Sequence, residues 1–80
     1  MHELSLTRNI IAIVADHAKM RLVRRVRLAV GPLACVEPRA LQFCFELAAV
    51  GTVLDGARLE IVDGEGDALL IKDYELEEAA

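Results

Sequence analysis

The chain opens Met1-His2-Glu3, and these three residues hold its most concentrated coordination chemistry. A histidine at position 2 sets an imidazole beside a terminal amine, with one backbone amide nitrogen between them. Those nitrogens can close around a single ion in small chelate rings. Nitrogen donors in a tetragonal arrangement suit Ni(II) or Cu(II). Methionine is normally removed only before small residues, and histidine is large, so Met1 is expected to remain and carry the amine. The plainer reading is a solvated histidine near a chain start, and a motif this short does not decide between the two.

No catalytic constellation stands beside it. The only other histidine, His17, is separated from His2 by a helical stretch. It falls on the apolar side of that helix, where a core-edge histidine bonded to backbone is the economical reading and a metal role the alternative. The single serine, Ser5, lacks a G-x-S-x-G context. Gly64-Glu65-Gly66 lacks the third glycine of a dinucleotide loop and the lysine of a P-loop, so it reads as a turn. Cys35 and Cys44 form no C-x-x-C. They are expected to stay reduced and cannot build a zinc site alone. Cys44 reads as a small core residue.

Eighty residues make one domain, and a domain of this size buries only roughly 60% of its unfolded surface. A composition 55% hydrophobic and 28% charged is nevertheless that of a globular chain. With 4% aromatics, Leu, Ile, Val and Ala must fill the core. A net charge of −4 argues against a nucleic-acid or anionic-membrane surface. The basic run Arg21, Arg24, Arg25, Arg27 is the exception; it reads as the solvated face of a strand, with partner docking as the minority alternative. The apolar stretch Ile10–Val14 is too short for a secretory core or a membrane span, so a cytoplasmic location is expected.

Five elements must position these residues. Leu6, Ile10, Ile13, Val14, His17 and Met20 recur at helical spacing over about Ser5–Arg21, with Thr7, Asn9, Asp16 and Lys19 outward. From Val23 the period is two: Val26, Leu28 and Val30 face one way and Arg25, Arg27 and Ala29 the other, until Gly31-Pro32. Pro38 suits a first helical turn, and Glu37 suits the positive end of the helix dipole. That helix runs to about Val50, burying Leu41, Cys44, Phe45 and Ala48, with Leu47 on the edge and Gly51 as the stop. Asp55-Gly56 is a turn. Arg58–Val62 is a second strand with Leu59 and Ile61 inward, 63–67 a tight connection, and Ala68 to about Leu76 a third strand. Its alternation slips near Asp73-Tyr74, as at a bulge. The first two strands, joined through a helix, are expected parallel with a right-handed crossover. The last two, joined by a short turn, are expected to pair antiparallel. The fold class is α+β, with two helices packed on one face of a small three-stranded mixed sheet.

Met1-His2-Glu3-Leu4-Ser5 resembles the amino-terminal signature of the HypA/HybF nickel metallochaperones of [NiFe]-hydrogenase maturation. The likeness continues through Arg25-Val26-Arg27-Leu28 with Gly31, Val36-Glu37-Pro38, Leu41, Phe43, Phe45-Glu46, Gly51-Thr52, Gly56-Ala57, Leu59-Glu60-Ile61 and Leu70-Ile71-Lys72. One departure stands out. Family members carry a zinc-binding arm with two C-x-x-C pairs between the last two strands, and here Asp63–Asp67 takes its place. The resemblance thus implies a single nickel-binding domain, 1–80, with the arm replaced by a short turn near 63–67 and no zinc expected. Whether the excision is engineered or natural stays open.

The resemblance assigns nickel to the Met1 amine, the backbone nitrogens of His2 and Glu3, and the His2 imidazole. The Glu3 side chain is left to orient the site or to touch a partner. It also implies transfer of nickel to a maturation GTPase, docked around the amino terminus and first helix, and contact with the hydrogenase large subunit as a further possibility. The expected function is a metal-delivery protein and not an enzyme. A metal-free module that docks the GTPase, or an engineered arm-less mini-domain, are the alternatives.

Overall fold

A computed structural model describes residues 2–78 as two helices and three strands. Helix α1 spans His2–Ala18, strand β1 Val23–Val30, helix α2 Pro38–Ala49, strand β2 Arg58–Asp63 and strand β3 Leu69–Leu76. The α+β class, with both helices packed on a three-stranded mixed sheet, is as the pattern predicts. The buried core comes from α1, β1, α2, β2 and the loop after α2, which supplies Leu54, while Leu69, Ile71, Tyr74 and Leu76 of β3 pack against it half-buried. Phe45, Leu28, Leu41, Leu54, Val14 and Val26 are its largest fully buried side chains.

Helix α1 starts earlier and stops earlier than the periodicity suggests, and it presents a different face. Thr7, Ile10, Ile11, Val14 and Ala18 form the buried stripe. Ile13, His17 and Met20 are exposed, Met20 at 89%. Counting Thr7 as polar rotates the expected stripe away from the true one. Its hydroxyl donates to the Leu4 carbonyl at 3.0 Å, so the side chain is satisfied inside the helix and buries fully. Met20 misses the core because the helix has ended: Lys19 and Met20 take φ of 52° and 70° and reverse the chain.

Helix α2 follows the expected signals closely. Pro38 occupies the first turn, and the Glu37 carboxylate caps it by accepting the Ala40 N–H at 3.1 Å. Leu41, Phe45 and Ala49 are buried; Cys44 and Ala48 are only half-buried, and Leu47 is 56% exposed. Gly51 ends the element at φ 81°, its N–H bonded to Asp55.

The strand order is β2-β1-β3. Strand β1 pairs parallel with β2 and antiparallel with β3. The expected β2–β3 hairpin is therefore not formed, although the two strands do run in opposite directions. Residues 64–68 instead cross the end of β1. They are fastened by Gly64 N–H to Val30 O, Gly31 N–H to Ala68 O and Leu33 N–H to Gly66 O, at 2.9, 2.8 and 2.8 Å. Two strand spacings are about 9.5 Å, a span five residues cover easily. The burial of β1 explains the order: its apolar face, with Val23, Val26 and Leu28 at most 2% exposed, is the most complete of the three, so it takes the centre.

Two irregularities shape the β1–β3 ladder. Lys72 is the extra residue where Arg27 pairs with Asp73 and Leu28 with Ile71, beside the expected bulge. Arg24 is the extra residue between the Val23 and Arg25 pairs. It resets the alternation so that Val23 and Val26, three apart, are both buried.

The face of the sheet opposite the core carries an ion-pair ladder. Arg25 reaches Glu60 on β2 and Glu75 on β3, at 3.2 and 3.0 Å. Arg27 forms a two-pronged pair with Asp73, at 2.8 and 2.5 Å. That hydrogen bond, more than the nearby charge, holds the Asp73 carboxyl below the usual aspartate range. A depressed folded pKa contributes stability above the unfolded value and loses it as pH falls through the folded one. Asp73→Asn should accordingly unfold at lower urea than the parent at pH 6. The gap should close as pH drops below about 3.9, the ordinary aspartate pKa. The pair is exposed, so the gap will be small; urea midpoints at pH 6 and pH 2.5 that differ by the same amount would show that the pair contributes nothing pH-dependent.

Candidate functional site

The site predicted from sequence sits where α1 begins. Met1 lies outside the described residues. His2 is the first residue of α1 and is exposed, and Glu3 follows it, half-buried. The first four N–H groups of any helix have no intrahelical acceptor. The His2 and Glu3 amides belong to that set, so a metal that displaces their protons breaks no helical hydrogen bond. The donor set therefore suits a square-planar ion on chemical grounds. Among the described residues no three His, Cys, Asp or Glu side chains converge on a point that could hold a metal. A site here depends on backbone nitrogens.

Glu3 has a partner the sequence does not announce. Its Oε2 accepts the Glu37 N–H at 3.3 Å. This bond, followed by Glu3's own amide, holds the carboxyl below the usual glutamate range, against an opposing desolvation. Glu37 in turn caps α2. The first turn of α1 is thereby tied to the loop entering α2. Glu37-Pro38 reads from sequence only as a helix start, and no local signal marks a contact 34 residues away.

His17 does not join His2. Their separation along α1 corresponds to about 22 Å at the helical rise per residue. Its ring is exposed and packs edge-on against Tyr74, centroids 6.3 Å apart, in place of the expected core-edge position. Cys35 is exposed in the loop before α2, where φ is 59°. Cys44 is half-buried on α2. Both are free thiols. No helix among the described residues is long and apolar enough to cross a membrane.

Two helices on a three-stranded mixed sheet, with the candidate donors at the start of the first helix, make a small α+β domain. A family described as "Hydrogenase/urease nickel incorporation, metallochaperone, hypA" matches residues 1–69. The chain belongs to the HypA family, whose members are metallochaperones and not enzymes. It is 53% identical over 62 residues to the hydrogenase maturation factor HypA of Trichodesmium erythraeum, covering 78% of this chain and 54% of that protein. It is 50% identical over 66 residues to the HypA of Nostoc punctiforme, covering 82% and 58%. The chain thus spans little more than half the length of these relatives. The fold is also that of the solution structure of the Ni metallochaperone HypA from Helicobacter pylori. The TM-score is 0.72 at 22% identity, over 89% of this chain and 70% of that one.

Proposed function

We propose that this domain carries Ni(II) for [NiFe]-hydrogenase maturation, bound by the Met1 amine, the His2 and Glu3 backbone nitrogens and the His2 imidazole. Nickel is the cargo here, not a resident cofactor. The observation that carries the reading is the position of His2: an exposed imidazole on the first residue of a helix, beside amides that no helical carbonyl engages. Family membership supplies the nickel context. Glu3 positions the site, because its carboxylate is held by Glu37 and not free to wrap an ion. Titration of Ni(II) into protein with a free Met1 amine, against the same protein acetylated there, tests the reading. Binding should vanish on acetylation. Equal affinity in the two samples would overturn the assignment and leave the metal-free docking module in its place.

The partner in this reading is the maturation GTPase of the hydrogenase pathway, with the hydrogenase large subunit as a further acceptor. The solvent face of α1, with Arg8, Ala12, Ile13 and Asp16 exposed beside the nickel end, is the surface we assign to it. The work of the domain then takes place in the cytoplasm, away from nucleic acid and membrane.

The arm-less reading also extends to zinc. Residues 64–68 join β2 to β3 across the end of β1 with their own backbone hydrogen bonds, and they carry no cysteine or histidine. Folding should need no metal. The melting temperature of purified protein should be the same with and without EDTA, unlike that of domains whose folding free energy is metal binding. A drop of more than about 5 °C with chelator, or one zinc per chain by elemental analysis, would show a structural metal site.

A further inference from the structure

Arg25 and Arg58 are direct cross-strand partners in the parallel β1–β2 ladder, so two guanidinium groups leave the sheet side by side on its open face. Like charges placed opposite each other are destabilising. Only one of the two is compensated internally: Arg25 is shared between Glu60 and Glu75. Arg58 makes no ion pair among the described residues, and neither does Arg24, the bulge residue. The three arginines and Gly56 line one hollow of 290 Å³ at the end of the sheet. Asp55, Glu77 and Glu78 border the adjoining hollow with Arg24, yet none of them pairs with it. In a chain of net charge −4, a cavity walled by three arginines, two of them uncompensated, is an uncommon concentration of positive charge.

We infer that the Arg24–Arg25–Arg58 hollow is a binding site for a phosphate-class oxyanion. A guanidinium offers its donors in a planar fork that matches phosphate oxygens, and several forks around one hollow suit a tetrahedral dianion better than a single carboxylate. None of its lining residues belongs to α1 or to the Glu3–Glu37 contact, so it is independent of the nickel reading. Its volume leaves room for a second phosphoryl group, which favours a diphosphate over phosphate itself.

The arginine Nε–Hε resonances of ¹⁵N-labelled protein provide the readout, titrated with inorganic phosphate, pyrophosphate or acetate at ionic strength held constant with sodium chloride. Arg24 and Arg58 should shift saturably with phosphate and at lower concentration with pyrophosphate, and should not saturate with acetate. The double variant R24Q/R58Q should bind pyrophosphate about tenfold more weakly or worse, while R39Q, on α2, should bind as the parent does. Arg24 and Arg58 are exposed, so the double variant should keep its fold, and its unchanged amide spectrum away from the hollow verifies this. Absence of a saturable shift, acetate binding as tight as phosphate, or parental affinity in the double variant would each overturn the site.

Discussion

A His2→Ala variant should lose specific Ni(II) binding by at least about a hundredfold and melt within about 2 °C of the parent. Removing even an outer-shell partner of a metal site costs 10–100-fold, and His2 would supply the only side-chain nitrogen in this one. The fold is spared because His2 is exposed and contributes nothing to the core. His17→Ala is the matched control: the same side chain on the same helix, also exposed, but too far along α1 to share an ion. Calorimetric titration of Ni(II) into all three proteins, each with a free Met1 amine, decides the matter. If His17→Ala abolished binding and His2→Ala kept it, the ligand set would be wrong. The same site should prefer Cu(II) to Ni(II) in vitro, as the divalent series dictates. Nickel competes with protons for every donor, so affinity should fall steeply from about pH 8 to about pH 5.

The proposed metal site can be read from sequence because it needs only residues adjacent in the chain. Met1, His2 and Glu3 bring their nitrogens together through covalent geometry, without help from the fold. What the fold adds was not legible: the Glu3–Glu37 bond joins residues whose proximity depends on how α1 and α2 pack. The elements divide in the same way. Strand β1 and helix α2 were readable because Val26 and Leu28 alternate cleanly and because Glu37, Pro38 and Gly51 act locally on the backbone. The buried face of α1 was misread at Thr7, where a hydroxyl satisfied by Leu4 lets a nominally polar residue sit at the centre of the stripe. Strand adjacency was misread because a short connection fixes direction but not neighbourhood. Between β2 and β3 it can close a hairpin or step across a third strand, and the more completely buried apolar face of β1 favours the second.

That crossing makes Gly31 the most sensitive glycine in the chain. A Cβ at Gly31 would meet the Gly66 carbonyl oxygen, and would lie 2.5 Å from the Glu65 oxygen and 2.7 Å from its carbonyl carbon. All of these are backbone atoms of the segment that steps over β1, and they cannot rotate away as a side chain would. Relief requires lifting residues 64–68, which strains or breaks the bonds from Gly31 to Ala68 and from Leu33 to Gly66. Overpacking of this kind together with weakened buried hydrogen bonds should cost ~3 kcal/mol, or more than about 10 °C in melting temperature for a domain of this length. Gly51→Ala separates this steric cause from a conformational one. Gly51 has φ 81° but nothing within 4 Å of its would-be Cβ, so an alanine there meets only the left-handed backbone penalty of roughly 1–2 kcal/mol. Thermal melts of the two variants should therefore rank Gly31→Ala well below Gly51→Ala. The reverse ranking would mean that the 64–68 segment yields at little cost, and that β2 and β3 are held in place by β1 pairing alone and not by the segment that crosses it.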